Sequence, residues 1–255
     1  MDPLAPLRSD PARACLLCDC DGTLAPIVDD PAAAAPLPAS VQALHALARH
    51  LGRVAVVSGR PASWLHAAFG DGLVLSGLYG LEQVEDDGCG RVVELPEAEP
   101  WRAVVAEVAE RAEAGAPAGV IVERKGLSVT LHHRTAPGGR PWVEEFAEDE
   151  AQASGLEPAR GKASIELRPP LPFDKGTAVR RLVEGFAAVA YVGDDTGDLP
   201  AFAVLDELAA AGVATVKVVV ASGELPDEVR AAADVLVDSP DAVAEMLSEL
   251  ASSLP

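Results

Sequence analysis

An α/β fold, a doubly wound parallel sheet interrupted by an inserted α+β unit, is predicted by three features of this chain. Apolar runs at 14–18, 53–57, 73–76, 188–193, 213–220 and 234–237 are each bounded by turn residues. Helical patterns at 38–51, 61–69, 175–187 and 198–210 separate several of them, and such alternation gives a parallel sheet covered on both faces. Between 97 and 168 the texture changes to helix, hairpin, helix and strand. Ligands of parallel sheets bind beyond the carboxyl ends of the strands. The residues that follow each apolar run are therefore the first place to look for a site.

The first run delivers Leu16-Leu17-Cys18-Asp19-Cys20-Asp21-Gly22-Thr23, two carboxylates leading into a glycine turn. Residues two apart in an extended chain point the same way, which predicts that Asp19 and Asp21 face one spot. The second run ends in Ser58-Gly59, and the run at 188–193 ends in Asp194-Asp195. Asp174-Lys175-Gly176 opens a helical pattern with a cation. A hairpin is expected at 81–95. In the insert, 97–114 reads as an acidic amphipathic helix with Trp101, Val104, Val105 and Val108 on its apolar side. Two strand-like pieces, 118–124 and 127–134, meet at Lys125-Gly126, a hairpin signal. A helix at 140–153 and a strand at 162–168 complete it. Residues 1–96 with 169–255 are thus expected to form a core, and 97–168 a cap. Met1–Ala12 carries Pro, Asp and Arg but no apolar signal core, and reads as a short loose leader and not a secretion signal.

Composition narrows the classes. With 255 residues, 49% hydrophobic and 24% charged, the chain can bury a substantial core and is not of disordered type. No apolar run approaches the roughly 20 residues that span a bilayer. A formal net charge of −20 argues against nucleic acid and anionic membranes as partners. Of the four cysteines, Cys15 and Cys18 imitate a metal-binding pair, yet strand geometry sends them to opposite faces. They read as small buried hydrophobes of a reducing cytoplasm; Cys20 and Cys89 are the other two.

Taken in order, the segments around Asp19, Ser58, Lys175 and Asp194 resemble the haloacid dehalogenase-like (HAD) phosphatases. The resemblance implies a set of roles. Asp19 attacks phosphorus to give an aspartyl-phosphate. Asp21 protonates the leaving oxygen and then deprotonates water. Ser58 donates to a phosphate oxygen, and Lys175 neutralises charge between Asp19 and the phosphate. Oxygen ligands suit Mg²⁺: Asp19, the backbone carbonyl of Asp21 and Asp194 are the implied set, with Asp195 beside them. Asp198 is open to two readings, a supporting group for that metal or a cap for the 198–210 helix. Residues 22–57 leave room for one helix only, whereas 59–174 hold the whole insert. That placement is similar to the sugar-phosphate phosphatases with an α/β cap.

The insert carries a narrower resemblance. Glu123-Arg-Lys125-Gly-Leu-Ser128-Val-Thr-Leu-His132-His-Arg134 is similar to the Glu-x-Lys-x-x-Ser…His-aromatic-Arg pattern of trehalose-6-phosphate phosphatases. So are Asp19-x-Asp-Gly-Thr-Leu-Ala-Pro-Ile-Val-Asp-Asp-Pro31 and Leu-Arg-Pro-Pro-Leu-Pro-Phe-Asp174-Lys175-Gly176. This implies release of trehalose from trehalose 6-phosphate, with Gly59, Arg60, Glu123, Lys125, Ser128, His132, Arg134 and Glu166 binding the substrate. It also implies a trehalose-phosphate synthase in the same pathway. Glu accepts from sugar hydroxyls while Lys, His and Arg donate; a solvated cross-strand salt bridge is the plainer reading of the same hairpin. The chain departs from the family at Gly77-Leu78-Tyr79-Gly80, where Gly-(Ser/Asn)-His-Gly is usual. It departs again at Gly197-Asp198-Leu199, in place of Thr-Asp-Glu, and at His133, in place of Tyr. The rivals are a glycosyl phosphatase for sucrose 6-phosphate or a glycosyl-3-phosphoglycerate, and a non-catalytic partner of the synthase.

Overall fold

The computed structural model describes residues 3–28, 30–84, 90–161, 163–221 and 225–255. Asp29 of the long aspartate motif, the 85–89 turn of the expected hairpin with Cys89, and Lys162 lie outside the described residues. The chain divides into two compact units, residues 1–93 with 173–255, and 94–172.

The first unit is an eight-stranded sheet. In chain order its strands are β1 (Ala14–Cys18), β2 (Arg53–Val57), β3 (Val74–Gly77), β4 (Glu82–Val84), β5 (Val92–Glu94), β10 (Ala188–Gly193), β11 (Ala214–Val220) and β12 (Val235–Val237). The spatial order is β12-β11-β10-β1-β2-β3-β4-β5, parallel from β12 through β3 and antiparallel at β3–β4. The strands read as continuous apolar runs because both faces are buried. Leu16, Cys18, Val54, Val56, Ala190 and Val192 point into one core, against α2 (Pro38–Ala48), α3 (Ala62–Phe69) and α9 (Pro240–Ser252). Cys15, Leu17, Ala55, Val57, Val189 and Tyr191 point into the other, against α6 (Lys175–Leu182), α7 (Leu199–Ala210) and α8 (Asp227–Ala232). Cys15 and Cys18 accordingly sit on opposite faces, both free and buried.

Two expectations need correction. The N-terminal segment is not loose: α1 (Ala5–Ser9) buries Leu7, Leu4 is 3% exposed, and the Pro11 carbonyl accepts from the Gly52 amide. A pair of leucines amid prolines was enough to dock the segment. The helix opened by Lys175 ends at Leu182, not 187, with Gly185 in the left-handed region just beyond, where glycine relieves the Cβ clash.

The second unit is a four-stranded antiparallel sheet, β6 (Ile121–Arg124), β7 (Val129–His132), β8 (Glu157–Arg160) and β9 (Ser164–Arg168), in the order β6-β7-β9-β8. Period-two alternation puts Val129, Leu131, Ile165 and Leu167 on one face. There they pack against Val105, Val108 and Ala112 of α4 (Trp101–Gly115) and Val143 and Ala147 of α5 (Arg140–Ser154). The opposite face is polar. Among the described residues no helix is long and apolar enough to cross a membrane.

Candidate active site

Asp19, Ser58 and Asp194 directly follow β1, β2 and β10, three neighbours in the sheet. The chain reverses its winding direction at β1 and β10, and such a switch point opens a crevice at the carboxyl ends of the strands. The Asp19 amide still bonds to the Val192 carbonyl at 2.8 Å, so its carboxylate is anchored by the sheet ladder. Lys175 is the first residue of α6, whose start is set by Asp174: the Asp174 carboxylate accepts from the Thr177 amide, and the Thr177 hydroxyl faces the Asp174 amide. This reciprocal cap fixes the direction in which Lys175 enters.

The Lys175 ammonium lies 2.8 Å from Asp19 Oδ1 and 2.7 Å from Asp198 Oδ1. Asp198, fully buried, also accepts from the Tyr191 hydroxyl at 2.7 Å and from the amides of Asp194 and Asp195. Its carboxylate caps none of the α7 amides, so the helix-cap reading of Asp198 is set aside. It joins the lysine to the Asp194–Asp195 turn instead. Burial alone would depress the Lys175 pKa, but the Asp19 and Asp198 charges outweigh it and hold the ammonium well above its ordinary value. Burial also pushes the Asp19 carboxyl up, opposed by Lys175 and reinforced by Asp198 and Asp194. Tyr191 is raised by burial and by Asp198 and stays a hydroxyl donor. Carboxylate oxygens of Asp19, Asp194 and Asp198 lie within 4.8 Å of one another. Three buried carboxylates, only two of them on the one ammonium, leave excess negative charge, and an all-oxygen donor set fits a hard divalent cation. The turn makes room for this: Gly22 is left-handed at φ +86, and a Cβ there would stand 2.2 Å from Asp194 Oδ2.

β1 ends at Cys18, so Asp21 sits in the turn beyond it and not on the strand. Both its carboxylate oxygens accept from Arg60, Nε to Oδ2 and Nη2 to Oδ1, each at 2.8 Å. The Arg60 guanidinium lies 4.7 Å from the centre of the Trp64 ring, a cation–π contact that steadies the fork. The Ser58 hydroxyl is buried and accepts from the Arg60 amide at 3.1 Å. Asp195 Oδ1 accepts from the Gly197 amide at 2.9 Å, and Asp195 stands outside the carboxylate triplet.

On the second unit, register places Glu123, Thr130 and Glu166 side by side across β6, β7 and β9. Glu166 Oε1 accepts from the Ser128 hydroxyl at 2.6 Å and from Lys125 at 3.4 Å. Glu123 Oε2 meets His132 Nε2 at 2.8 Å and Lys125 at 3.8 Å. These side chains are far less exposed than a solvated salt bridge would be: Lys125 shows 12% and Glu166 8% of its side chain. Arg134 falls outside the network, exposed in the turn after β7. Thr130, Tyr191 and Trp64 escaped the sequence reading. Among the described residues Thr130 Oγ1 is buried without a hydrogen-bond partner, and the alternation Ser128, Thr130, His132 was the signal that could have found it.

A doubly wound sheet with this carboxylate–lysine cluster at its switch point defines a member of the HAD-like fold class. The family model described as Trehalose-phosphatase matches residues 17–241, and the chain belongs to that family. It is 35% identical over 253 residues to a trehalose-phosphate phosphatase of Mycobacterium marinum, covering 95% of this chain and 62% of the relative. A second, from Mycolicibacterium paratuberculosis, is 36% identical over 250 residues, covering 92% and 61%. The chain thus spans about three fifths of the length of these relatives. Among solved structures, the C-terminal domain of the C. albicans trehalose-6-phosphate phosphatase is 26% identical with a TM-score of 0.77, covering 100% of this chain and 98% of that one.

Proposed function

We propose that this chain is a Mg²⁺-dependent phosphatase that converts trehalose 6-phosphate to trehalose and phosphate through an aspartyl-phosphate. The observation that carries the reading is the Lys175–Asp19 contact at 2.8 Å in a chain of this family. A buried carboxylate held by an ammonium is an in-line nucleophile whose charge is screened from the phosphate it approaches.

An Asp19 oxygen bonds to phosphorus as the bond to the sugar oxygen breaks, and that oxygen takes a proton from Asp21. Water then attacks the phosphorus, loses a proton to Asp21 and displaces the Asp19 oxygen, so that the bond to Asp19 breaks and phosphate and the free Asp19 carboxylate are released. Arg60 grips both Asp21 oxygens, so this role requires the guanidinium to yield one of them to the reacting groups. Lys175 and Ser58 offset and orient charge on the phosphate. Mg²⁺ would be held by Asp19 and Asp194, with the Asp21 carbonyl as a further ligand, since protein donors already engage both Asp198 oxygens. Bound there, it would supply the positive charge that three buried carboxylates lack. Glu123, Lys125, Ser128, His132 and Glu166 supply the sugar contacts, and Gly59 lies in the phosphate-side loop. The buried free thiols suit work in a reducing cytoplasm, downstream of a trehalose-phosphate synthase.

Phosphate release from trehalose 6-phosphate, sucrose 6-phosphate and a glycosyl-3-phosphoglycerate, each with Mg²⁺ and with chelator, tests the reading. Turnover of trehalose 6-phosphate at least tenfold above the others, abolished by chelator, is the expected result. Preference for another sugar phosphate would reassign the substrate, and no turnover of any would leave the non-catalytic rival.

A further inference from the structure

The segment after β3 holds two adjacent residues, neither of them glycine, in the left-handed region: Leu78 at φ 47 and Tyr79 at φ 59, followed by Gly80 at φ 97. For a leucine beside a tyrosine this backbone is costly and persists only where the surroundings impose it. Its effect is local and specific. The Tyr79 amide donates to the Ser58 carbonyl and the Leu78 amide to the Arg60 carbonyl, each at 3.0 Å. The phenol lies on the residue between them: a Cβ at Gly59 would stand 2.6 Å from the Tyr79 hydroxyl oxygen and 2.8 Å from Cζ. One strained turn therefore holds both carbonyls that flank Gly59 and covers its α-carbon.

We infer that Tyr79 is a positioning residue, the wedge of a clamp that fixes the Ser58–Arg60 loop. The inference rests on the phosphatase reading, in which Ser58 faces the phosphate and Arg60 orients Asp21. Its two ends are coupled through short bonds, Arg60 amide to Ser58 Oγ at 3.1 Å and Arg60 side chain to Asp21 at 2.8 Å. A shift of the loop backbone thus moves a phosphate donor and the proton donor together. Gly59 is small because the phenol takes the space of its side chain.

Tyr79→Gly removes the wedge and relieves the left-handed strain, which separates positioning from folding. The expected result is faster amide hydrogen exchange at Gly59 and Arg60, with kcat lowered about tenfold or more on both trehalose 6-phosphate and a simple aryl phosphate. The loss is shared because the clamp acts at the phosphate end. Tyr79→Phe keeps the wedge and stays within about threefold of the parent. Gly59→Ala, which pushes the phenol off the loop, repeats the loss from the other side. Parent-like exchange or parent-like kcat in Tyr79→Gly, whatever its melting temperature, overturns the clamp. An inactive parent defeats the phosphatase reading instead, and exchange at Gly59 and Arg60 then decides the clamp by itself.

Discussion

Tyr191 and Asp198, seven residues apart, are joined by a 2.7 Å hydrogen bond with both side chains fully buried. The same Asp198 oxygen receives Lys175 at 2.7 Å, so a strand residue, a turn residue and a helix residue meet at one atom. Tyr191→Phe removes one donor to a charged acceptor, which costs about 1.5–3 kcal/mol. Asp198→Asn brings an amide up to an ammonium and leaves that charge short of a partner, which costs about 3–5 kcal/mol. Chemical denaturation of the two variants should reproduce that order. Equal stability of all three chains would mean that the cluster does not hold the fold at the switch point.

Glu123→Ala should lower kcat/KM for trehalose 6-phosphate by about 10² or more, the loss of one or two buried hydrogen bonds, while an aryl phosphate is turned over as before. Equal losses on both substrates would assign Glu123 to folding.

Thr130→Val separates binding from stability more sharply. The substitution keeps shape and deletes a buried hydroxyl that has no hydrogen-bond partner among the described residues, so the melting temperature should hold or rise. If the hydroxyl serves the sugar, kcat/KM for trehalose 6-phosphate falls about fivefold or more at the same time. Unchanged kinetics would remove Thr130 from the sugar site.

Mg²⁺ should raise the melting temperature of the parent chain in the absence of substrate, because binding to the folded state alone stabilises it by mass action. Asp194→Asn should lose most of that rise. A full rise in the variant would move the cation away from the Asp19–Asp194 pair.

Burial pushes the Cys15 thiol up to about 12 and raises Cys18 and Cys20 as well. At pH 8 the reactive thiolate of Cys15 is then scarce, on the order of 10⁻⁴ of the total. A thiol-alkylating reagent should leave these three unlabelled in the folded chain and label them in denaturant. Rapid labelling of Cys18 in the native state would contradict the close packing around β1.

The strand–helix alternation was legible because a sheet buried on both faces writes itself as apolar runs; β1, β2 and β10 fall on the expected residues. Asp19, Ser58 and Asp194 were found by the same logic, as residues that follow those runs. What escaped has physical reasons. Tyr191 sits inside a run that reads as core, and only the fold reveals the acid waiting for its hydroxyl. β8, with the sequence Glu-Pro-Ala-Arg, lacks alternation because three of its four residues are exposed and no buried face enforces it. Leu4 and Leu7 were too few to announce a docked segment. Arg134 continues the parity of Ser128 and His132, yet β7 stops at His132 and Arg134 is exposed in the turn that follows.

The covalent role proposed for Asp19 is the central claim. Asp19→Asn preserves shape, removes the attacking charge, and leaves Lys175 its second partner in Asp198. Steady-state phosphate release from trehalose 6-phosphate, with circular dichroism to verify folding, is the direct measurement. A fall of about 10³ or more in kcat with a native spectrum is expected. Activity within tenfold of the parent would contradict it.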